Sequence, residues 1–312
     1  MPKLVMPTRS YGLMRQMKTL TTINDGLELE FPEAENILVF ARKMVRELEY
    51  DVCEMPFTTY LAAKAVGKKI TALPLFITRN FHHQAIHVDS KAGLSAPKDM
   101  EGKTACIVRG YTVTTGVWAR YVLSSEYNVD LSKVHWTCTD DEHVAEFELP
   151  AFADYNSMGK DFKDLFANGE IVGAIGTLPE PVDGVQPLIG DPKAAGFASY
   201  HNTGVYPCNH GIVVRDELLE QYPDLAVDLF NALKSSKDAY LSSINRGGDL
   251  SKEDALTVEL EEGVKGDPFP YGIESNRLAL EALTQTAYDQ LITPRKFSVE
   301  ELFAKGTHDL VG

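Results

Sequence analysis

The chain has 312 residues, of which 44% are apolar, 24% charged and 9% aromatic. That length suits two lobes of roughly 150 residues rather than one compact core, and nothing in the composition points to disorder, a coiled coil or a repeat array. A formal charge of −15 at pH 7 excludes a nucleic-acid or anionic-membrane surface, because no basic stripe exists to neutralise phosphates.

In chain order, LVM at 4–6 reads as a short strand, followed by a TRSYG turn, a short helix and the strand GLELEF at 26–31. The leading MPKLVMPTRSYGLMRQMK has positive charge but no apolar core of about seven residues and no small-residue cleavage site, which points to a cytoplasmic protein. PEAENILVFARKMVRELE reads as a helix from Pro32, with Ile37, Leu38, Ala41, Met44, Val45 and Leu48 at helical spacing. YDVCEM is then a strand, PFTTYLAAKAVG a helix from Pro56 to Gly67, and KITALPLF a strand.

A second unit enters at GLSAPKDMEG. Strand TACIV (104–108), helix TGVWARYVLSSEY, strand KVHWTCT (133–139), helix KDFKDLFANG and strand EIVGAIG (170–176) follow. This alternation predicts an α/β fold of two lobes, each a parallel sheet with helices on both faces. GVYPCNHGIVVRDEL, residues 204–218, reads as a strand returning to the first lobe. The expected division is 1–90 with 205–312, C-terminal helices included, and 91–204. Within that helical end, SVEELFAKG shows a capping-box spacing at Ser298 and Glu301 with Gly306 as its C-cap.

Cys53, Cys106, Cys138 and Cys208 form no CxxC pair, so reduced, structural cysteines are expected rather than a zinc ribbon or redox motif. No apolar run of about 18 residues reads as a membrane span. Open α/β sheets bind ligands beyond the carboxyl ends of their strands. That rule selects Thr8–Arg9–Ser10–Tyr11, Thr58–Thr59, Arg109–Gly110–Tyr111 with Thr112–Thr115, Asp140–Asp141–Glu142–His143, and Thr177. Thr58/Thr59 and Thr112–Thr115 open helices, where hydroxyls and free N–H groups favour carboxylates. A small anion in this acidic chain needs local arginines, and Arg9, Arg79, Arg109, Arg120 and Arg215 are placed for it.

Four ordered segments spanning roughly residues 30 to 215 resemble the 4,5-dihydroxyphthalate decarboxylase-like family, built on the type II periplasmic-binding-protein fold. YDVCEMPFTTYLAA matches its acidic residue and Met before a small polar pair and Tyr, here Glu54, Met55, Thr58, Thr59 and Tyr60. RNFHHQAIHV keeps Arg79, Phe81 and His83 but has His82 where Arg is usual and Gln84 where Ser is. GYTVTTGVWAR supplies Tyr111, Thr114 and Trp118, and GVYPCNHGIVVR supplies Pro207 and His210. Three departures stand out. Arg109 and Gly110 replace a usual Pro and Glu, the family's arginine near TLPEP is missing, and TRSYG replaces an aspartate- and tyrosine-rich loop. Together they suggest rearranged anion contacts. The resemblance implies two lobes joined by two crossover strands, RNFHHQAIHV and GVYPCNHGIVV, with the ligand cleft between the lobes.

RNFHHQAIHV holds three histidines in six positions. Read as an extended strand, it places Phe81, His83, Ala85 and His87 on one face and His82, Gln84, Ile86 and Val88 on the other. His83 and His87 then lie about 13 Å apart, too far to share a metal ion. No metal or other cofactor is expected; the minor alternative is a divalent ion held by His82 or His83 with His210 and a carboxylate, Glu54 or one of Asp140–Glu142.

Acid–base chemistry suits the histidines better. Decarboxylation of a hydroxylated aromatic acid needs a proton delivered to the carboxylate-bearing ring carbon, from a group with pKa near neutrality. The resemblance implies His83 and His210 as this catalytic pair. His82, Arg79, Arg109, Tyr111, Thr58, Thr59 and Thr114 are the expected substrate contacts. His87, His135, His143 and His308 read as structural, and Trp118 as core. The expected function is decarboxylation of a hydroxylated aromatic (di)carboxylate, with the small aromatic carboxylate as partner, no nucleic acid, no membrane, and a homo-oligomer left open. The alternative is a solute-binding protein for an aromatic acid or small anion.

Overall fold

Short β-branched and apolar runs form twelve strands among the described residues, which in this computed structural model are 3–23, 26–33 and 35–312. They are β1 (Lys3–Val5), β2 (Thr22–Ile23), β3 (Leu27–Glu30), β4 (Val52–Pro56), β5 (Ile70–Arg79), β6 (Ile86–Asp89), β7 (Thr104–Ile107), β8 (His135–Cys138), β9 (Ala153–Asp154), β10 (Gly173–Ile175), β11 (Val185–Pro187) and β12 (Cys208–Arg215). The helices are α1 (Ile37–Glu47), α2 (Phe57–Ala65), α3 (Thr114–Ser125), α4 (Phe162–Ala167), α5 (Pro192–Thr203), α6 (Asp216–Gln221), α7 (Leu225–Ser243), α8 (Lys252–Val264) and α9 (Arg277–Asp289).

β1, β3 and β2 pair in that order, as do β4, β12 and β5. Backbone bonds from Asp51 N–H to Val5 O and from Glu54 N–H to Pro7 O join the two groups along β4. The other six strands form one sheet in the order β11-β6-β10-β7-β8-β9. The chain passes between these sheets after Arg79 and again near Gly204, whose φ of 71° closes α5 with its N–H on Tyr200 O. Left-handed backbone at a helix end is the usual place for glycine.

Several expectations change. The sheets are not purely parallel: β12 runs antiparallel to both β4 and β5, and in the larger sheet β6 runs antiparallel to its neighbours β10 and β11. α1 starts at Ile37, not Pro32, because the Asn36 side chain accepts the Leu38 N–H and caps it there; Ala34 of that segment lies outside the described residues. α5 was not anticipated, although Asp191 caps it and Pro192 opens it. SVEELFAKG forms 3-10 turns at Glu300–Leu302 and Lys305–Thr307 instead of a helix, and Gly306 lies inside the second. Phe303 bridges Ala72 of β5, which draws this segment to the sheet edge. The Ser298–Glu301 hydrogen bonds do form.

All four cysteines are free and buried. Trp118 of α3 and Trp136 of β8 are fully buried beside Val134, Ile107 and Ile175. No helix among the described residues is long and apolar enough to cross a membrane.

Candidate active site

VCEMP is an apolar strand with one acid in it, and burying a carboxylate without partners costs several kcal/mol. Glu54 is completely buried and has partners on both oxygens. Oε1 accepts the Tyr11 O–H at 2.8 Å and His210 Nδ1–H at 2.7 Å. Oε2 accepts the Thr8 O–H at 3.0 Å and the Arg9 backbone N–H at 2.9 Å. The Arg9 guanidinium stands 3.5 Å from both Oε1 and His210 Nδ1. Burial alone would raise this carboxyl, but the bond and charge of His210, with those of Arg9, hold it down at about 2. Glu54 is therefore a fixed anion at neutral pH. Burial and the Glu54 charge push the Tyr11 hydroxyl well above its ordinary range, so it stays a donor.

His210 has the opposite exposure: 13% of its side chain reaches solvent against none for Glu54. With Nδ1 committed to the carboxylate, the neutral ring carries its lone pair on Nε2, which makes no hydrogen bond among the described residues. β12 is irregular at this point, with register shifts against β5 between Cys208 and Ile212. Such bulges re-aim side chains near active sites.

Arg109 approaches from the larger sheet, on the turn after β7. Its φ is 82°, a conformation costly for a residue with a Cβ and found preferentially at functional sites. Its N–H is held by Thr139 Oγ1 at 2.7 Å, while its guanidinium makes no hydrogen bond or ion pair among the described residues. Desolvation lowers its pKa, Asp140 opposes that, and the positive charge of Arg9 adds to it. The turn depends on Gly110, where a Cβ would lie 2.7 Å from Glu142 Oε1. The Glu142 carboxylate instead receives the N–H groups of Tyr111 and Thr112.

Arg109 also lines a cavity of about 470 Å³ with Arg42, Lys43, Arg46, Asp140 and His143. Arg42 and Arg46 of α1 pair with Asp141 at 2.7 and 2.9 Å, tying α1 to the loop after β8. Burial, then Arg42, Arg109 and Arg46, pull His143 down to about 4. Neutral at pH 7, it bonds Thr59 Oγ1 through Nδ1 at 2.9 Å. His143 thus belongs to this cavity wall.

Most of the other expected contacts are turned into the fold. RNFHHQAIHV is not one extended strand: β5 ends at Arg79, His83–Ala85 form a 3-10 turn, and β6 starts at Ile86. The face-by-face alternation expected of its histidines therefore does not apply. His83 is buried, with Nε2 on Glu126 Oε2 at 2.9 Å and Glu126 Oε1 taking the Ser199 hydroxyl, so it has no free edge for catalysis. His82, also buried, donates to Asn209 Oδ1 at 2.8 Å instead of meeting a ligand. Arg79 is no carboxylate clamp: its guanidinium is taken up by Tyr206 O, Pro270 O and Asn276 Oδ1 and lies over the Tyr206 ring. Tyr111 is fully buried, donates to Gln290 O and lies under Arg120.

Thr58 and Thr114 bond each other at 2.8 Å, and Thr58 also donates to Thr112 O. Their hydroxyls join α2 to α3 rather than waiting for an anion. No group of three or more His, Cys, Asp or Glu side chains is arranged to hold a metal ion among the described residues. His82, His83 and His210 each serve a different partner. The sequence offers Glu54 as the acid of a family segment and a metal-ligand candidate, and Arg9 as an anion-binding candidate, but not their hydrogen-bonded meeting with His210. The signal was present, since a lone acid in a buried strand demands nearby donors.

No family model matches the chain. It is 27% identical over 314 residues to the 4,5-dihydroxyphthalate decarboxylase of Comamonas testosteroni, covering 94% of each chain. It is 27% identical over 160 residues to that of Pseudomonas putida, covering 49% of this chain and 61% of the relative. Among solved structures it is similar to the periplasmic aliphatic sulphonate binding protein of Escherichia coli, with TM-score 0.57 and 10% identity over 99% of this chain and 100% of the other. A Candida albicans protein with the generic periplasmic-binding-protein fold matches with TM-score 0.55 and 14% identity, over 100% of this chain and 99% of that one. The desulfurization enzyme DszB matches with TM-score 0.51 and 12% identity, over 97% and 96%. The resemblance to the 4,5-dihydroxyphthalate decarboxylases thus extends over nearly the whole chain, and the fold is that of the type II periplasmic binding proteins.

Proposed function

We propose that this protein decarboxylates a hydroxylated aromatic dicarboxylate of the 4,5-dihydroxyphthalate class, with His210 as the proton donor. The observation that carries the reading is the Glu54–His210 pair: a buried anion on Nδ1 and an unbonded Nε2 at the edge of the fold. A buried carboxylate fixes the ring orientation and stabilises the imidazolium, so that Nε2–H⁺ is a competent general acid. Simple anion binding needs no such pair.

In the proposed reaction, His210 Nε2 gives its proton to the ring carbon bearing the departing carboxylate. The electron pair for the new C–H bond comes from the ring as the para hydroxyl gives its proton to solvent water and becomes a dienone carbonyl. The C–CO2 bond then breaks, its electrons restore the aromatic ring, and the hydroxyl is re-protonated. One proton is consumed and one CO2 released per turnover. Arg9 and the unpaired Arg109 supply the cations that hold the substrate carboxylates, guanidinium being matched to them in bidentate geometry.

A second reading, an aromatic-acid or small-anion binding protein, draws on the likeness in fold to sulphonate-binding proteins. Mixing the protein with 4,5-dihydroxyphthalate and a panel of hydroxylated benzoates, and following CO2 release and proton uptake, separates the two. Turnover of at least one ortho-dicarboxylate is expected. Tight binding without CO2 release across the panel would leave the binding-protein reading standing alone.

A further inference from the structure

His210 lies in a stretch of β12 whose register against β5 is broken. On the β5 side the register slips at each step from Cys208 to Ile212. On the β4 side His210 faces Pro56, the last residue of that strand. A free stretch of strand would let the imidazole wander, and a misplacement of about 1 Å in a reacting group costs on the order of 100-fold in rate.

Side chains from three other segments hold the stretch instead. The Trp118 indole N–H, from α3 beside the larger sheet, donates to Cys208 O at 3.0 Å. His82, in the first crossover, donates through Nε2 to Asn209 Oδ1 at 2.8 Å. Thr78 of β5 uses its hydroxyl oxygen to accept the His210 backbone N–H at 3.1 Å. Successive residues 208, 209 and 210 each take one of these three bonds, and His210 is held further by Glu54 at Nδ1. Trp118 and His82 are buried, so these bonds are shielded from competing water. Two of the three donors or acceptors come from outside the strand's own sheet.

We infer that Trp118, His82 and Thr78 are positioning residues for His210, and that the Trp118 bond makes the pose of His210 depend on the seating of α3 against β12. The proposal rests on His210 being the proton donor. It assigns new roles to a tryptophan that spacing alone reads as core and to a histidine that stands where the related family usually has arginine.

The test uses the full chain labelled with ¹⁵N-histidine, and the variants Thr78→Val, Trp118→Phe and Thr78→Ser. Thr78→Val removes the acceptor at nearly constant shape, Trp118→Phe removes the indole N–H together with part of a fully buried ring system, and Thr78→Ser keeps the acceptor. The His210 ring ¹H–¹⁵N correlations, assigned by their loss in His210→Gln, report its bond to Glu54 whether or not the protein turns over any substrate. Expected are displaced or broadened His210 signals in Thr78→Val and Trp118→Phe with the other histidines unmoved, and parental signals in Thr78→Ser. Where CO2 is released, kcat should fall about tenfold or more in the first two variants with KM nearly constant, the mark of an interaction realised in the transition state. Unmoved His210 signals in both variants overturn the proposal, even if turnover falls. Absence of turnover in the parent with displaced signals in the variants sinks the decarboxylase reading alone.

Discussion

Among the described residues are two histidine–glutamate pairs of nearly equal length, each with one buried partner, that differ in where the second ring nitrogen points. His210–Glu54 spans 2.7 Å and His83–Glu126 spans 2.9 Å. In the first, the carboxylate is the buried partner and the imidazole reaches the surface. In the second, the imidazole is the buried partner, its Nδ1 is shut in without a hydrogen bond, and the carboxylate is the partly exposed one. Only the first ring turns its second nitrogen towards solvent. Histidine type and an acidic neighbour therefore do not define an acid–base site; the direction of burial does.

Breaking each pair in turn sharpens this contrast. His210→Gln is expected to lower kcat about 1,000-fold, and Glu54→Gln about 100-fold by removing the buried anion and facing four donors with an amide, both with little change in KM. Steady-state CO2 release measures both, and comparable losses from His83→Gln would erase the distinction. For His83→Gln the expected effect is on stability, about 2 kcal/mol in urea unfolding with kcat within about twofold, because a buried bond to Glu126 and the crossover packing are disturbed.

A further effect, read in stability rather than turnover, is set by pH. Burial lowers His82 and His143 to about 4 from an ordinary 6.5. The unfolded chain then takes up protons that the native state refuses. Their contribution is fully present above pH 6.5 and is lost as pH falls towards 4, by about 1.4 kcal/mol per pH unit for each. Glu54, held at about 2, is depressed in the same sense, and its share is lost only as pH falls from its ordinary range towards 2. Urea midpoints measured from pH 7 to pH 4 should decline throughout. A flat profile across that range would show that neither histidine is buried neutral.

Much of the fold was legible in the residues. The α/β alternation and the returning segment at 204–218 follow from periodicity and turn chemistry, and the four family segments led to the type II binding-protein architecture. Strand directions were not legible: β12 inserts antiparallel between β4 and β5, and such pairing is decided by where a distant segment returns. Of the proposed site, His210 and Arg109 could be named from sequence. The buried roles of Arg79, Tyr111, Thr58 and Thr114 could not, because an arginine or hydroxyl at a strand end looks the same whether it faces a ligand or a backbone carbonyl.

The sequence by itself determined the class of architecture, the acidic surface and the short set of residues able to move a proton or hold a carboxylate. It did so because composition, period and local capping are properties of neighbouring residues. Only the tertiary structure decided which of the two glutamate-paired histidines turns its second nitrogen towards the surface. That choice depends on Glu54, Thr8, Arg9 and Tyr11 meeting His210 across more than 150 positions of chain, and on a strand irregularity held from three other segments. Contacts of that range are fixed by packing, which no local pattern encodes.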